Sequence, residues 1–475
     1  MFEGIMRGDV LVKGAWSLLV AGIVFIGAFA LAEYQGSSWL YLLFTALSTA
    51  VLIFGFGRGA IFFDAFIGVF LWLGFWLKFS VHTAFSGGRF NISVGNFDGA
   101  PESLDKVLLV VCCALAAILL ARFMRQRWIF SYPQLMPEIA YSGLFAFYRQ
   151  YRTAVLIGFV VSVLAVCITN AWFGIYQRGQ VARVTLPFGL NGVYAWLLMF
   201  GMASVSAIIL RFEFELNRNR YWIALSIAML EVALSNASLW SRGMILNGSS
   251  LLYGAAAQFS RSEHRLRLGR ASLILVALVG FFAMSVLSVN WLRANAFYDA
   301  HPEISTSEAV KQQTTLLFLD RWVGVEGVMS VVGSTHTGWD VFDEALAERF
   351  DTSANSFYDQ HFITSSYDNT LDDGVHFVSL PGYVAFLFYP GSYVFLFVAV
   401  FAFSVLAALL EYFVFRMGGN NLVFCALIAQ VIAFRYTSFG YVPMQSYLLF
   451  GSIILNVLIL YFSDRFLRFF ASLET

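Results

Sequence analysis

Twelve long apolar runs, separated mostly by short polar breaks, leave this chain few possible folds. They fall at about 14–33, 38–56, 60–84, 107–121, 153–173, 188–210, 221–240, 243–259, 272–291, 381–414, 421–438 and 445–463. Most approach the length of roughly 20 residues that carries a helix across a bilayer. The runs are continuous rather than alternating, which argues against a membrane barrel. Of the 475 residues 59% are hydrophobic and only 12% charged, about half the charged share of a soluble domain. The expected fold is therefore an all-α polytopic membrane protein of about twelve transmembrane helices. Its parts are 1–291 for helices one to nine, 292–380 for a large loop, and 381–475 for the last three helices and the C-terminus.

Two of the runs need separate comment. Ala15–Ala32 follows Arg7 and Lys13, as a signal peptide would. Its length exceeds the signal core of about 7–15 residues, so it reads as an uncleaved first span. The tenth run is too long for one crossing and holds Pro381-Gly382 and Pro390-Gly391. The stretch 377–391 is expected to form a re-entrant or interfacial piece before a span that begins near Ser392. The inside segment 122–152 reads as amphipathic and interfacial, with basic anchors. Cys112, Cys113, Cys167 and Cys425 all lie in apolar runs and read as buried thiols without a disulfide framework.

Basic residues set the orientation. With the N-terminus inside, 18 of the 29 Lys and Arg residues face inward and 11 outward. Both termini are then cytoplasmic, and the long polar segment between spans nine and ten lies outside. From Trp291 to Val378 that segment carries 14 Asp and Glu against four Lys and Arg. Its composition is not low-complexity, so a small folded cap is expected. Zero net charge implies no bulk attraction to nucleic acid.

The basic residues left outside are the main chemical signal. Arg178 and Arg183 fall between spans five and six, Arg242 in the tight turn between spans seven and eight, Arg321 in the long loop, and Arg435 near the end of span eleven. Guanidinium groups pair bidentately with phosphate and stay charged when partly desolvated. Together they would suit a lipid-linked diphosphate. The competing reading of each is an interfacial anchor that snorkels or pairs with a loop acid. Lys78 and His82 lie four residues apart, on one helix face, and would line the same cavity or form an anchor pair. Asp64 and Glu231 are acids inside spans. Each is a functional candidate or a polar contact between helices. Glu326, His336, His361 and His376 are candidate general bases for a hydroxyl. The acidic stretch around Asp368 lacks calcium-loop spacing. Neither a metal site nor a cofactor is expected.

Three stretches carry a family resemblance. Arg178 and Gly189 are separated by ten residues; a second such spacing from Arg321 arrives one position late, at Gly333. Trp-Ser-Arg-Gly spans 240–243, and two Pro-Gly steps fall in 381–391. With the topology, these resemble the Wzy-type O-antigen polymerases, which polymerise oligosaccharide repeat units and are related to the O-antigen ligases. The resemblance implies a GT-C-like fold with a large periplasmic loop between helices nine and ten. It implies a metal-independent glycosyltransferase of the bacterial inner membrane. A growing glycan would pass from undecaprenyl diphosphate to a lipid-linked repeat unit at the periplasmic face. Arg178, Arg242, Arg321, Glu326, His336 and His376 would be catalytic. Arg183, Arg435, Tyr436, Lys78 and His82 would bind diphosphate or sugar. Tyr176, Trp172, Trp240, Tyr436 and Tyr441 offer rings for sugar stacking. The implied partners are the undecaprenyl-diphosphate-linked oligosaccharide, the bilayer and a chain-length regulator protein.

Three alternatives stand beside this one. An O-antigen ligase shares the donor and differs in its acceptor, lipid A core. A flippase or transporter would show related halves and broken helices at mid-membrane, and no half-to-half similarity is visible. A scaffold would have no need of the outward arginines.

Overall fold

The computed structural model describes residues 9–90, 92–217, 221–241, 243, 245–262, 280, 287, 319–363, 376 and 378–471. Among the described residues, 75% are helical. The helices are α1 Asp9–Glu33, α2 Ser38–Gly55, α3 Phe62–Phe85, α4 Pro101–Trp128, α5 Ser142–Phe173, α6 Pro187–Leu216, α7 Tyr221–Ser238 and α8 Ile245–Arg261. Then come α9 Val325–Val332, α10 Trp339–Leu346, α11 Tyr383–Phe386, α12 Tyr393–Met417, α13 Leu422–Thr437 and α14 Ser446–Ala471. Among the described residues nine helices are long and apolar enough to cross a membrane, and α13 is a shorter apolar one. The chain is thus a multi-pass membrane protein. The expected ninth span, apart from residues 280 and 287, and the start of the long loop, 292–318, lie outside the described residues, as does Arg242.

Two compact units divide the chain. Unit one holds residues 1–132, 315–409 and 432–447; unit two holds 133–314, 410–431 and 448–475. The described part of the long loop, including α9 and α10, falls within unit one.

Polar side chains fix several helix ends in each unit. In unit one, Asp64 accepts the Ile61 N–H at 3.1 Å and pairs with Arg125 at 2.6 Å and Arg122 at 3.5 Å. It is therefore the polar link between α3 and α4. In unit two, Glu213 is fully buried and accepts from Tyr148 Oη at 2.7 Å and Arg152 Nε at 2.5 Å. Asp464 of α14 accepts the backbone N–H groups of Gly143 and Leu144 at 2.9 and 3.0 Å, satisfying donors that the first turn of α5 leaves open. Both α4 and α5 run beyond their apolar stretches, over Pro101–Trp128 and Ser142–Phe173. The segment expected to lie at the interface is largely helix; only 129–141 is irregular. The Pro390-Gly391 turn separates α11 from α12, and α12 begins at Tyr393.

α3 carries a single π-helical stretch, Trp72–Leu77, a distortion common beside functional or tightly packed sites. Gly74 explains its use here. A Cβ on Gly74 would stand 2.4 Å from the Val323 carbonyl oxygen, and one on Gly324 would stand 2.0 Å from the Gly74 oxygen. The loop backbone therefore rests directly on α3. From there α9 is enclosed: Val325, Val328 and Met329 are 0% exposed.

Candidate functional site

Unit one gathers seven of the residues singled out in the sequence in two places. The first is where the loop meets α3. Lys78 is fully buried. Its Nζ donates to the carbonyls of Asp320 at 2.9 Å and Trp322 at 2.5 Å, and pairs with Glu326 Oε1 at 2.7 Å. An ammonium has three protons, and here each has a partner. One turn on, His82 Nε2 lies 2.8 Å from Asp320 Oδ1. Its Nδ1 is buried with no partner among the described residues. Burial pushes the Glu326 carboxyl above the ordinary glutamate range, and Lys78 opposes that shift. Lys78, His82 and Glu326 thus come together as a buried fastening between loop and helix. Arg321 is exposed at the same segment, beside Trp322, whose ring stacks on Phe70 at 5.7 Å.

The second place is the turn after α13. Arg435 donates to Ser446 Oγ at 2.9 Å and lies 3.5 Å from the Tyr441 carbonyl oxygen. The Tyr441 hydroxyl in turn lies 2.9 Å from His376 Nε2. His376 Nδ1 is buried with no partner among the described residues. Phe350 packs on both rings, 6.0 Å from His376 and 6.3 Å from Tyr441. Burial pushes the Tyr441 phenol up to about 12, and Glu348, Asp351 and Asp359 add negative charge in the same direction. The phenol stays protonated at neutral pH and keeps its hydrogen bond to His376. A guanidinium and a His–Tyr pair are therefore joined through one residue.

The remaining members of unit one sit elsewhere. Tyr436 is 4% exposed; its hydroxyl donates to the Phe403 carbonyl at 3.1 Å and its ring meets Phe63, Tyr383 and Phe403. Its faces are covered by aromatic side chains. His336 is exposed in a turn where its N–H donates to Ser334 Oγ. His361 stacks on Phe357 at 4.1 Å.

Unit two holds Arg178 and Arg183. Asn170 organises their loop. Its amide donates to the carbonyls of Tyr176 and Ser238 at 3.0 Å each, and its oxygen accepts the Tyr176 N–H at 2.9 Å. The Arg178 N–H then bonds the Leu239 carbonyl at 3.0 Å, next to the turn that opens with Trp240 and Ser241. Two of the stretches that carry the resemblance are thus tied backbone to backbone. Arg183 reaches back over Gly174, whose carbonyl accepts its N–H at 3.0 Å. Glu231 accepts from Ser235 at 2.9 Å, and its second oxygen is buried with no partner among the described residues.

Sequence reasoning missed Asn170, and it took Tyr441 only as a stacking ring. Asn170 is polar within an apolar span, which was a usable signal; the hydroxyl role of Tyr441 had none. Among the described residues no group of three or more His, Cys, Asp or Glu is placed to hold a metal ion. Compared with protein-family models, curated proteins and solved structures, this chain matches none.

Proposed function

We propose that the protein is a polysaccharide polymerase of the Wzy type. It transfers a growing glycan from undecaprenyl diphosphate to a lipid-linked repeat unit, at the outer face of the bacterial inner membrane. One observation carries this reading: Arg435, Tyr441 and His376 form a continuous chain of contacts at the end of an apolar helix. A cation beside a proton-accepting pair is what glycosyl transfer from a diphosphate requires. The acceptor hydroxyl oxygen attacks the anomeric carbon while the bond from that carbon to the phosphate oxygen breaks. Tyr441 takes the hydroxyl proton as it passes its own to His376 Nε2. A positioned group of this kind contributes about 10²–10⁴-fold to rate. The charge that develops on the leaving diphosphate is met by guanidinium, the role assigned to Arg435 and, from the resemblance, to Arg178, Arg183, Arg242 and Arg321.

In this reading Lys78, His82, Glu326 and Tyr436 shape and hold the site without touching substrate. The chemistry asks for no metal. The test is deletion of the gene with complementation by variants, read as surface polysaccharide on a gel. A null is expected to leave one repeat unit per lipid. Arg178→Ala, Arg242→Ala and His376→Gln are expected to give the same pattern at normal protein level. Bare core with lipid-linked polymer accumulating would identify a ligase instead. Undelivered single units would identify a flippase.

A further inference from the structure

The turn that carries Tyr441 is strained, and a single carboxylate holds it. Val442 has φ 43° and ψ 60°, the left-handed region. That region is an outlier for a β-branched residue, and Pro443 disfavours helical conformations in the residue before it. Gly440, two residues earlier, has φ 123° and would meet Pro381 Cγ at 2.4 Å if it bore a Cβ. The chain is therefore forced through a narrow gap on both sides of Tyr441. Strain of this kind persists only where neighbours over-determine it.

Glu348 supplies that determination. Its Oε2 accepts the Val442 N–H at 2.8 Å, and its Oε1 accepts the Phe357 N–H at 2.6 Å. Glu348 follows α10, which is fixed by Phe342 against Phe386 at 5.4 Å and Phe395 at 5.3 Å. The Gly338 N–H bonds the Tyr389 carbonyl at 2.9 Å at the start of that helix. The carboxylate thus stands on a packed helix and reaches the one N–H whose placement turns Tyr441 both ways. The Tyr441 hydroxyl goes to His376 and its carbonyl to Arg435. The titratable groups that face Glu348 are Asp359, Tyr389 and Tyr441.

We propose that Glu348 is a positioning residue: by clamping the Val442 N–H it holds Tyr441 in contact with His376 and Arg435. The proposal rests on the polymerase reading for its consequence, but its geometry can be tested without it. An amide at 348 leaves one acceptor oxygen for two N–H groups and turns an NH2 on the other, so Glu348→Gln can no longer hold Phe357 and Val442 together and loosens the clamp with little change of shape. Val442→Gly removes the strain the clamp opposes, because glycine adopts positive φ freely.

The experiment is histidine NMR of the full-length protein in nanodiscs, with the His376 resonance assigned through His376→Gln. Against the wild type, Tyr441→Phe is expected to shift the His376 ring resonances. In Glu348→Gln that sensitivity is expected to vanish, and in Glu348→Gln with Val442→Gly it is expected to return. Chain extension should follow the same order. It should fall roughly tenfold to a hundredfold in the single variant, as a displacement of about 1 Å does, and recover in the double one. If His376 still senses Tyr441 in Glu348→Gln, or if Val442→Gly restores nothing, the clamp is overturned. If the NMR pattern holds while no variant changes glycan length, the clamp stands and the polymerase reading falls.

Discussion

Lys78 is the clearest case of a residue whose surroundings decide its role. It is fully buried, with its charge met by Glu326 and two carbonyls. Removing one partner from such a pair strands the other, at about 3–5 kcal/mol. Lys78→Met is expected to lower the Tm in detergent, and a second change, Glu326→Gln, to return part of the loss. Glu348 gives a prediction in pH. Burial raises its pKa above the ordinary glutamate value, against the two backbone N–H groups that lower it. The clamp uses both oxygens of the ionised form. It is therefore in place above the raised pKa and lost as pH falls through it. The acid limb of chain extension should lie above about 4.3, the usual glutamate value, and should disappear in Glu348→Gln. A limb at the same pH in both proteins would sever it from Glu348.

The elements were readable wherever a signal was local. Apolar runs placed α2, α3, α7, α8 and α13 within about two residues of their ends, and the two Pro-Gly steps marked the break before α12. The i, i+4 spacing put Lys78 and His82 on one face. Their partners were not readable, because 242 residues separate Lys78 from Asp320 and no periodicity spans that distance. Glu348 was one acid among the 14 in the loop, and nothing in its neighbourhood of sequence distinguished it. The π-helical stretch in α3 was hidden for the same reason: it answers to the Val323-Gly324 backbone resting on Gly74. Gly74→Ala is therefore expected to lift the loop from α3. Limited proteolysis within 319–335 should become faster, while Gly22→Ala in α1, where a Cβ meets nothing within 4 Å, should leave the digest unchanged.

Across the whole molecule, the excess of basic residues in alternate loops predicts which surfaces face which compartment. The three wholly buried cysteines and the half-buried Cys113 leave a quiet background for introduced thiols. An impermeant maleimide applied to intact spheroplasts should label His336→Cys and should label Arg465→Cys only after lysis. The reverse pattern would invert the topology and remove the outer-face site. The fastening of loop to α3 also has a meaning in time. Ribosomes add about 5–20 residues each second, so Lys78 enters the bilayer roughly 12–50 s before Asp320 is made. Through that interval Lys78 has none of the three partners that meet its charge in the finished fold, so the membrane must carry an unpaired ammonium until the loop is complete.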